Sequence, residues 1–222
     1  MLELLFGTSN PGKLSELCRM MEGLAVRILT PDDLGRPLPV VVEDGETFLE
    51  NAEKKASAQA RALGVHVLAD DSGLCVDALG GAPGVHSARW AALDDLARGS
   101  PPQRSRAELD QANNAKLLAA LDGIPDAQRG AHYAAVLALA RPDGTIAAVV
   151  EGRCSGRIGQ KPRGTHGFGY DPVFIPAAAD AAKTMAEIEP AAKDAISHRG
   201  AALRALRPVL EKLAFDKRPR GG

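Results

Sequence analysis

LELLFGTSNPGKLSELCRMM, residues 2–21, changes character halfway along. Residues 2–8 read as a buried strand, whereas Leu14, Leu17, Cys18 and Met21 recur at helical spacing behind Pro11, a residue that fits a first helical turn. A strand, a tight turn and a helix in that order open an α/β fold. The turn itself, Gly7-Thr8-Ser9-Asn10-Pro11-Gly12-Lys13, lies where backbone amides and the helix dipole favour a phosphate, and Lys13 adds a compact charge. Its spacing matches the start of a P-loop, but Leu14 stands where that motif needs Ser or Thr to hold magnesium. Plain turn chemistry is the alternative for Asn10-Pro11-Gly12.

Working outward, residues 25–29 read as a second strand and 47–63 as a helix with Phe48, Ala52, Ala56 and Ala60 on one face, closed by Gly64. Segments 65–69 and 74–76 are short and apolar, and they bracket an expected acidic turn, Asp70-Asp71-Ser72-Gly73. Residues 80–84 form a loop by composition, 98–106 are the least regular interior stretch, and a helix is expected over 107–121. Asp143-Gly144 between 131–140 and 145–150 predicts a tight hairpin, so the sheet is mixed. One amphipathic helix is expected over 193–213. The organisation expected is a single domain over 1–215 with a basic C-terminal tail at 216–222.

Composition narrows the partners. The 222 residues are 45% apolar and 25% charged, with 27 Lys and Arg against 28 Asp and Glu, a net charge of −1. No global field would hold a nucleic acid or an anionic membrane. The apolar run 134–140 is far short of the ~20 residues that span a bilayer, and Met1-Leu2-Glu3 lacks a basic region ahead of an apolar core, so neither secretion nor membrane insertion is expected. Cys18, Cys75 and Cys154 are widely spaced without a Cys-x-x-Cys pair, which suits a reducing cytoplasm.

Magnesium takes oxygen ligands, commonly one or two carboxylates beside waters and substrate phosphates. Glu43-Asp44-Gly45-Glu46 and Asp70-Asp71-Ser72 both qualify. Adjacent carboxylates at a buried strand end repel unless a cation intervenes or one titrates as a base; a solvated turn is the alternative. Glu50, Glu53, Lys54 and Lys55 read as a solvated helix face. In residues 164–172 three glycines surround Phe168 and Tyr170, two of the chain's eight aromatics, and such a loop either stacks on a nucleobase or is a compact turn pinned by core aromatics. Lys193, His198 and Arg199 begin the last helix, Arg199 offering a planar fork to oxygen acceptors.

In order along the chain, TSNPGK (8–13), EDGETFLENA (43–52), ADDSGL (69–74), GGAPG (80–84), GFGYDP (167–172) and SHRG (197–200) resemble the blocks of the inosine triphosphate pyrophosphatase family, from residue 4 to residue 210. The resemblance implies an α/β homodimer, a long mixed twisted β-sheet with flanking helices, and two lobes around a central nucleotide-binding cleft. It also implies Mg²⁺-dependent hydrolysis of ITP, dITP and XTP to the monophosphate and pyrophosphate. Carried over, Thr8, Ser9, Asn10, Pro11, Gly12 and Lys13 would hold the triphosphate. Glu43 and Asp71 would coordinate the metal, with Asp71 also the proton acceptor. Ser72 would touch substrate, and Phe168, Gly169, Tyr170, Asp171, Lys193, His198 and Arg199 would line the nucleotide site, with Phe168 as the stacking face. Ser9 replaces a frequent glycine of the family, His166 stands where a second glycine is common, and 98–106 is richer in proline and arginine. A P-loop-like kinase or ATPase and a non-catalytic nucleotide-binding module remain the alternatives.

Overall fold

The computed structural model describes residues 1–97 and 104–216. Residues 98–103 of the expected irregular stretch and the basic tail from Lys217 onward lie outside the described residues. Strands β1 (Leu2–Phe6), β2 (Val26–Leu29), β3 (His66–Val76), β4 (Gly130–Ala140), β5 (Ile146–Ile158) and β6 (Phe174–Pro176) form one sheet in the order β2-β1-β3-β4-β5-β6. β1 runs parallel to β2 (Leu2 opposite Val26) and to β3 (Leu4 opposite His66), and β5 runs antiparallel to β6 (Gly156 opposite Pro176). The fold is therefore α/β with a mixed sheet.

Parallel neighbours need crossovers, which α1 (Pro11–Met20) and α2 (Phe48–Leu63) provide. Asn10 starts α1 by accepting from the Gly12 and Lys13 amides at 2.9 and 3.4 Å, with Pro11 in the first turn. Thr47 and Glu50 start α2 as a reciprocal capping box, and Gly64 ends it. Arg141 N–H donates to the Thr145 carbonyl at 2.8 Å, closing the expected hairpin between β4 and β5. The other helices are α3 (Trp90–Ala97), α4 (Arg106–Ala120), α5 (Pro190–Ile196) and α6 (His198–Asp216). Among the described residues no helix is long and apolar enough to cross a membrane.

Three expectations are corrected. Asp70-Asp71-Ser72-Gly73 is not a turn between two short strands but the middle of the 11-residue β3, because partners for the carboxylates lie far away in sequence. The last helix is two: Ser197 is extended, its N–H caps the Lys193 carbonyl at 2.8 Å, and Lys193 therefore sits on α5 while His198 and Arg199 open α6. β5 continues past 150 to Ile158, and the three-residue β6 is too short for a period-two signal.

The chain divides into two compact units, Met1–Asp71 with Ala135–Gly152 and Arg199–Gly222, and Ser72–Ala134 with Arg153–His198. In the first, strand alternation sorts the core. Leu2, Leu4, Phe6, Leu68, Leu137 and Leu139 pack against α1 and α6 through Leu17, Leu203 and Leu206, whereas Leu5, Val67, Ala69, Val136 and Ala138 pack against the small face Ala52, Ala56 and Ala60 of α2. The same alternation places Asp70 on the α1/α6 face and Asp71 on the α2 face.

The second unit packs Leu74, Val76, Leu117, Tyr133, Tyr170, Val173 and Phe174 together. Beside them Arg129, 1% exposed, donates to the carbonyls of Leu121 (2.8 Å), Ile158 (3.0 Å) and Gly159 (2.9 Å). The guanidinium thus satisfies the end of α4 and the end of β5 at once. Arg129→Met removes these donors at similar volume, and the stranded carbonyls should cost about 2–4 kcal/mol. Urea unfolding should show a lower midpoint at unchanged slope; an unchanged midpoint would show that the guanidinium is dispensable.

Candidate functional site

The first unit holds the phosphate-turn residues and every carboxylate singled out in the sequence before residue 72. Gly7 is closely approached: a Cβ there would lie 2.2 Å from Gln59 Oε1, the end of a flexible side chain, and 3.1 Å from Val67 Cγ1. Thr8 Oγ1 accepts from the Asn10 N–H at 3.1 Å, and Ser9 is exposed. Because Asn10 already caps the Gly12 and Lys13 amides, the turn is organised by its own side chain.

Lys13 Nζ donates to Asp70 Oδ1, Arg199 Nε donates to Asp70 Oδ2 at 2.9 Å, and Arg199 Nη1 donates to Glu16 Oε2. The Asp70 and Arg199 side chains are 1% and 2% exposed. Burial by itself would raise the Asp70 pKa, but Arg199 and Lys13 outweigh it and hold the carboxyl well below the usual carboxylate range. Burial opposes the charge on Arg199 too, and Asp70 and Glu16 more than offset that, raising its pKa. Two donors of the planar fork thus meet carboxylates of the protein itself.

Asp71, on the opposite face of β3, has different company. Its Oδ2 is buried without a hydrogen-bond partner. Burial pushes its pKa up to about 6; Lys13 and Lys55 pull it down, Glu43 pushes it up, and a hydrogen bond with Asn51 lowers it. Lys55 Nζ lies 3.1 Å from Glu43 Oε1, and Asn51 Oδ1 accepts from the Gly45 N–H at 2.8 Å, fixing the segment that carries Glu43. Lys55 is buried, which corrects its placement on a solvated face, whereas Lys54 is exposed and pairs with Asp44. Among the described residues no group of three or more His, Cys, Asp or Glu could share an ion. Magnesium commonly needs only one or two protein carboxylates, and a buried, unpartnered oxygen on Asp71 with Glu43 close enough to perturb it fits that requirement.

In the second unit Ser72 is half-buried, and the loop 167–171 is built around Asp171. Asp171 Oδ2 accepts from the Phe168 N–H at 2.9 Å and from Lys193 Nζ at 2.5 Å. Gly167 has a φ of 76°, and a Cβ there would lie 2.0 Å from Asp171 Oδ2, so only glycine fits. Tyr170 is buried and donates to the Ser87 carbonyl at 3.1 Å, the behaviour of a core aromatic, while Phe168 stays half-buried with Lys193 Nζ 5.1 Å from its ring centroid. His198 stacks on Tyr133 with centroids 4.6 Å apart.

Sequence inspection missed Glu16, Asn51, Lys55 and Tyr133 as site neighbours. Glu16 stood three residues beyond Lys13, close enough on a helix to share its face; the others carry no local signal.

The mixed α/β sheet with crossover helices defines the α/β class of protein, which many unrelated activities share, and comparison with known proteins narrows it. The family model of the Ham1 family matches residues 4–209, and the chain belongs to that family. It is 59% identical to a dITP/XTP pyrophosphatase of Anaeromyxobacter dehalogenans, over 96% of this chain and 99% of the relative. It is 48% identical to a dITP/XTP pyrophosphatase of Streptomyces avermitilis, over 96% of this chain and 99% of the relative. The solved structure of a HAM1 protein from Coxiella burnetii superposes with a TM-score of 0.78 at 36% identity, covering 96% of this chain and all of that one.

Cys154 lies in the second unit near the Asp171 and Lys193 pair. Burial and then Asp171 push its thiol up to about 11, against a smaller lowering by Lys193. An acid whose folded pKa is raised contributes stability below its unfolded pKa and loses it as pH climbs toward the folded value. Unfolding free energy should therefore fall between about pH 9 and pH 11, and Cys154→Ala should flatten that decline in urea titrations; equal slopes for the two proteins would discount the thiol.

Proposed function

We propose that this chain hydrolyses triphosphates of non-standard purine nucleosides, ITP, dITP and XTP, to the monophosphate and pyrophosphate. The observation that carries this is the near full-length match to relatives named dITP/XTP pyrophosphatase, at 59% identity in one case. The chain is a nucleoside-triphosphate pyrophosphatase, a hydrolase, and its role is to clear altered purines from the nucleotide pool.

The residues of the first unit supply the phosphate chemistry. Thr8 to Lys13 hold phosphate oxygens, with the Lys13 ammonium as the charge. Glu43 and Asp71 are the residues that would hold Mg²⁺, which when bound supplies neutralisation of the triphosphate oxygens. Asp71 accepts a proton from water as the water oxygen bonds to the α-phosphorus; the bond from that phosphorus to the bridging oxygen breaks, and pyrophosphate carries the electron pair away. A pKa pushed up to about 6 suits a carboxylate that must take a proton near neutral pH. Arg199 acts through Asp70, keeping it ionised beside Lys13. In the second unit Phe168 offers a face to the purine, Lys193, Asp171 and the core-bound Tyr170 fix that loop, and Ser72, Gly169 and His198 complete the nucleotide contacts that the resemblance implies. A P-loop-like ATPase is disfavoured, since Leu14 cannot ligate a metal.

The proposed setting is the cytoplasm and the proposed working form a homodimer acting on free nucleotides, with residues 1–215 serving as one functional domain. The reducing setting is supported by Cys18, Cys75 and Cys154, all free thiols.

A panel of nucleoside triphosphates incubated with the protein and Mg²⁺ should yield IMP and pyrophosphate in equal amounts from ITP, with far slower turnover of ATP and GTP. Release of IDP with orthophosphate, or full activity in excess chelator, would overturn the assignment. Asp71→Asn keeps the side chain's shape and removes its basicity, so kcat should fall by roughly 10²–10⁴-fold with folding retained. A folded Asp71→Asn protein with normal turnover would move the role to another carboxylate.

A further inference from the structure

We infer that Asp110 and Asn114 on α4 are positioning residues for base binding, holding Phe168 through the backbone of Gly169; this rests on Phe168 being the face offered to the purine. Asp110 and Asn114 are four residues apart and share a helix face. Asp110 Oδ2 accepts from the Gly169 N–H at 2.9 Å, and Asn114 Nδ2 donates to the Gly169 carbonyl at 2.8 Å. Both backbone groups of one residue are thereby held by one helix, which fixes the peptide planes on either side of Gly169. Phe168 is immobilised from its other side as well, since its own N–H donates to Asp171 Oδ2 at 2.9 Å.

The amide of Asn114 can face only one way. Nδ2 also donates to the Asp110 carbonyl at 2.9 Å, so a flipped side chain would set its oxygen against two carbonyls. The helix is prepared for the task upstream: Ser105 and Glu108 form a capping box at its start, and Arg106 Nε lies 3.1 Å from Asp110 Oδ1.

A purely structural loop would bury its aromatics. Tyr170 does so, 3% exposed, but Phe168 is only half-buried, on a backbone held at its own N–H and at both groups of Gly169. Rigid backbone under an accessible ring is what preorganised stacking requires, because the ordering cost is met before the ligand arrives. Asp110 and Asn114 bind the N–H and the carbonyl of Gly169, and each acts on Phe168 through that backbone.

The test uses the full chain with saturating Mg²⁺ and ITP. Asn114→Ala and Asp110→Ala should each raise KM roughly tenfold, about the effect of one lost hydrogen bond, with kcat nearly unchanged. Asp110→Asn retains an acceptor for the Gly169 N–H and should recover most of the KM. Phe168→Ala should raise KM by itself, and adding Asn114→Ala to it should raise KM little further, because both act through the same ring. The inference is overturned if Phe168→Ala raises KM and Asn114→Ala does not, if the two effects multiply, or if the α4 variants lose only kcat in proportion to their folded fraction. If Phe168→Ala leaves KM unchanged, the base-face assignment has failed, and the inference falls with it. Should Asn114→Ala not fold, the contrast between Asp110→Ala and Asp110→Asn decides the same question.

Discussion

Asp70, held between Lys13 and Arg199, is the constraint from which the first unit is organised. Lys13 and Glu16 come from α1, Asp70 from β3 and Arg199 from the start of α6, so a single buried cluster ties three elements together. Two cations face two anions. Withdrawing such groups from water costs several kcal/mol per ion, repaid only when geometry is good and every charge is answered. Loss of any one member leaves an odd charge in a buried site, so the cluster as a whole ties α1 and α6 to the sheet.

The same strand gives its next residue the opposite role. Asp70 and Asp71 are neighbours in sequence, but a period of two sends them to opposite faces. On one face two cations keep Asp70 ionised; on the other, burial and Glu43 lift Asp71 to about 6 despite Lys13 and Lys55. Mutual repulsion within the dipeptide does not explain the difference. The partners recruited from α1, α2 and α6 do, and they divide one acidic pair into a structural anchor and a group able to take a proton.

The regular parts of the fold were legible because their signals are local. Thr47, Glu50 and Gly64 mark the ends of α2 within the helix itself, and Asp143-Gly144 announces a hairpin. β3 was misread for the opposite reason: Asp-Asp-Ser-Gly has the composition of a turn, and the partners that allow it inside a strand sit 57 and 129 residues away. The break at Ser197 was hidden because apolar periodicity continues across it. In the site, residue identities were legible from ordered motifs, whereas pairing was not. Nothing in the sequence separates buried Lys55 from exposed Lys54, since that depends on which side of α2 faces the sheet.

Arg199 shows how pairing changes function while identity stays the same. As a sequence motif, Ser197-His198-Arg199-Gly200 suggests a guanidinium aimed at a ligand oxygen. In the fold, Nε and Nη1 are engaged by Asp70 and Glu16, and a side chain 2% exposed cannot turn away without breaking the Glu16 ion pair and leaving Lys13 to face Asp70 without it. Breaking a buried pair costs about 3–5 kcal/mol, more than the roughly 1–3 kcal/mol that one mismatched polar group on a purine is worth. The guanidinium of Arg199 is therefore committed first to anchoring α1, β3 and α6, which the motif alone does not reveal.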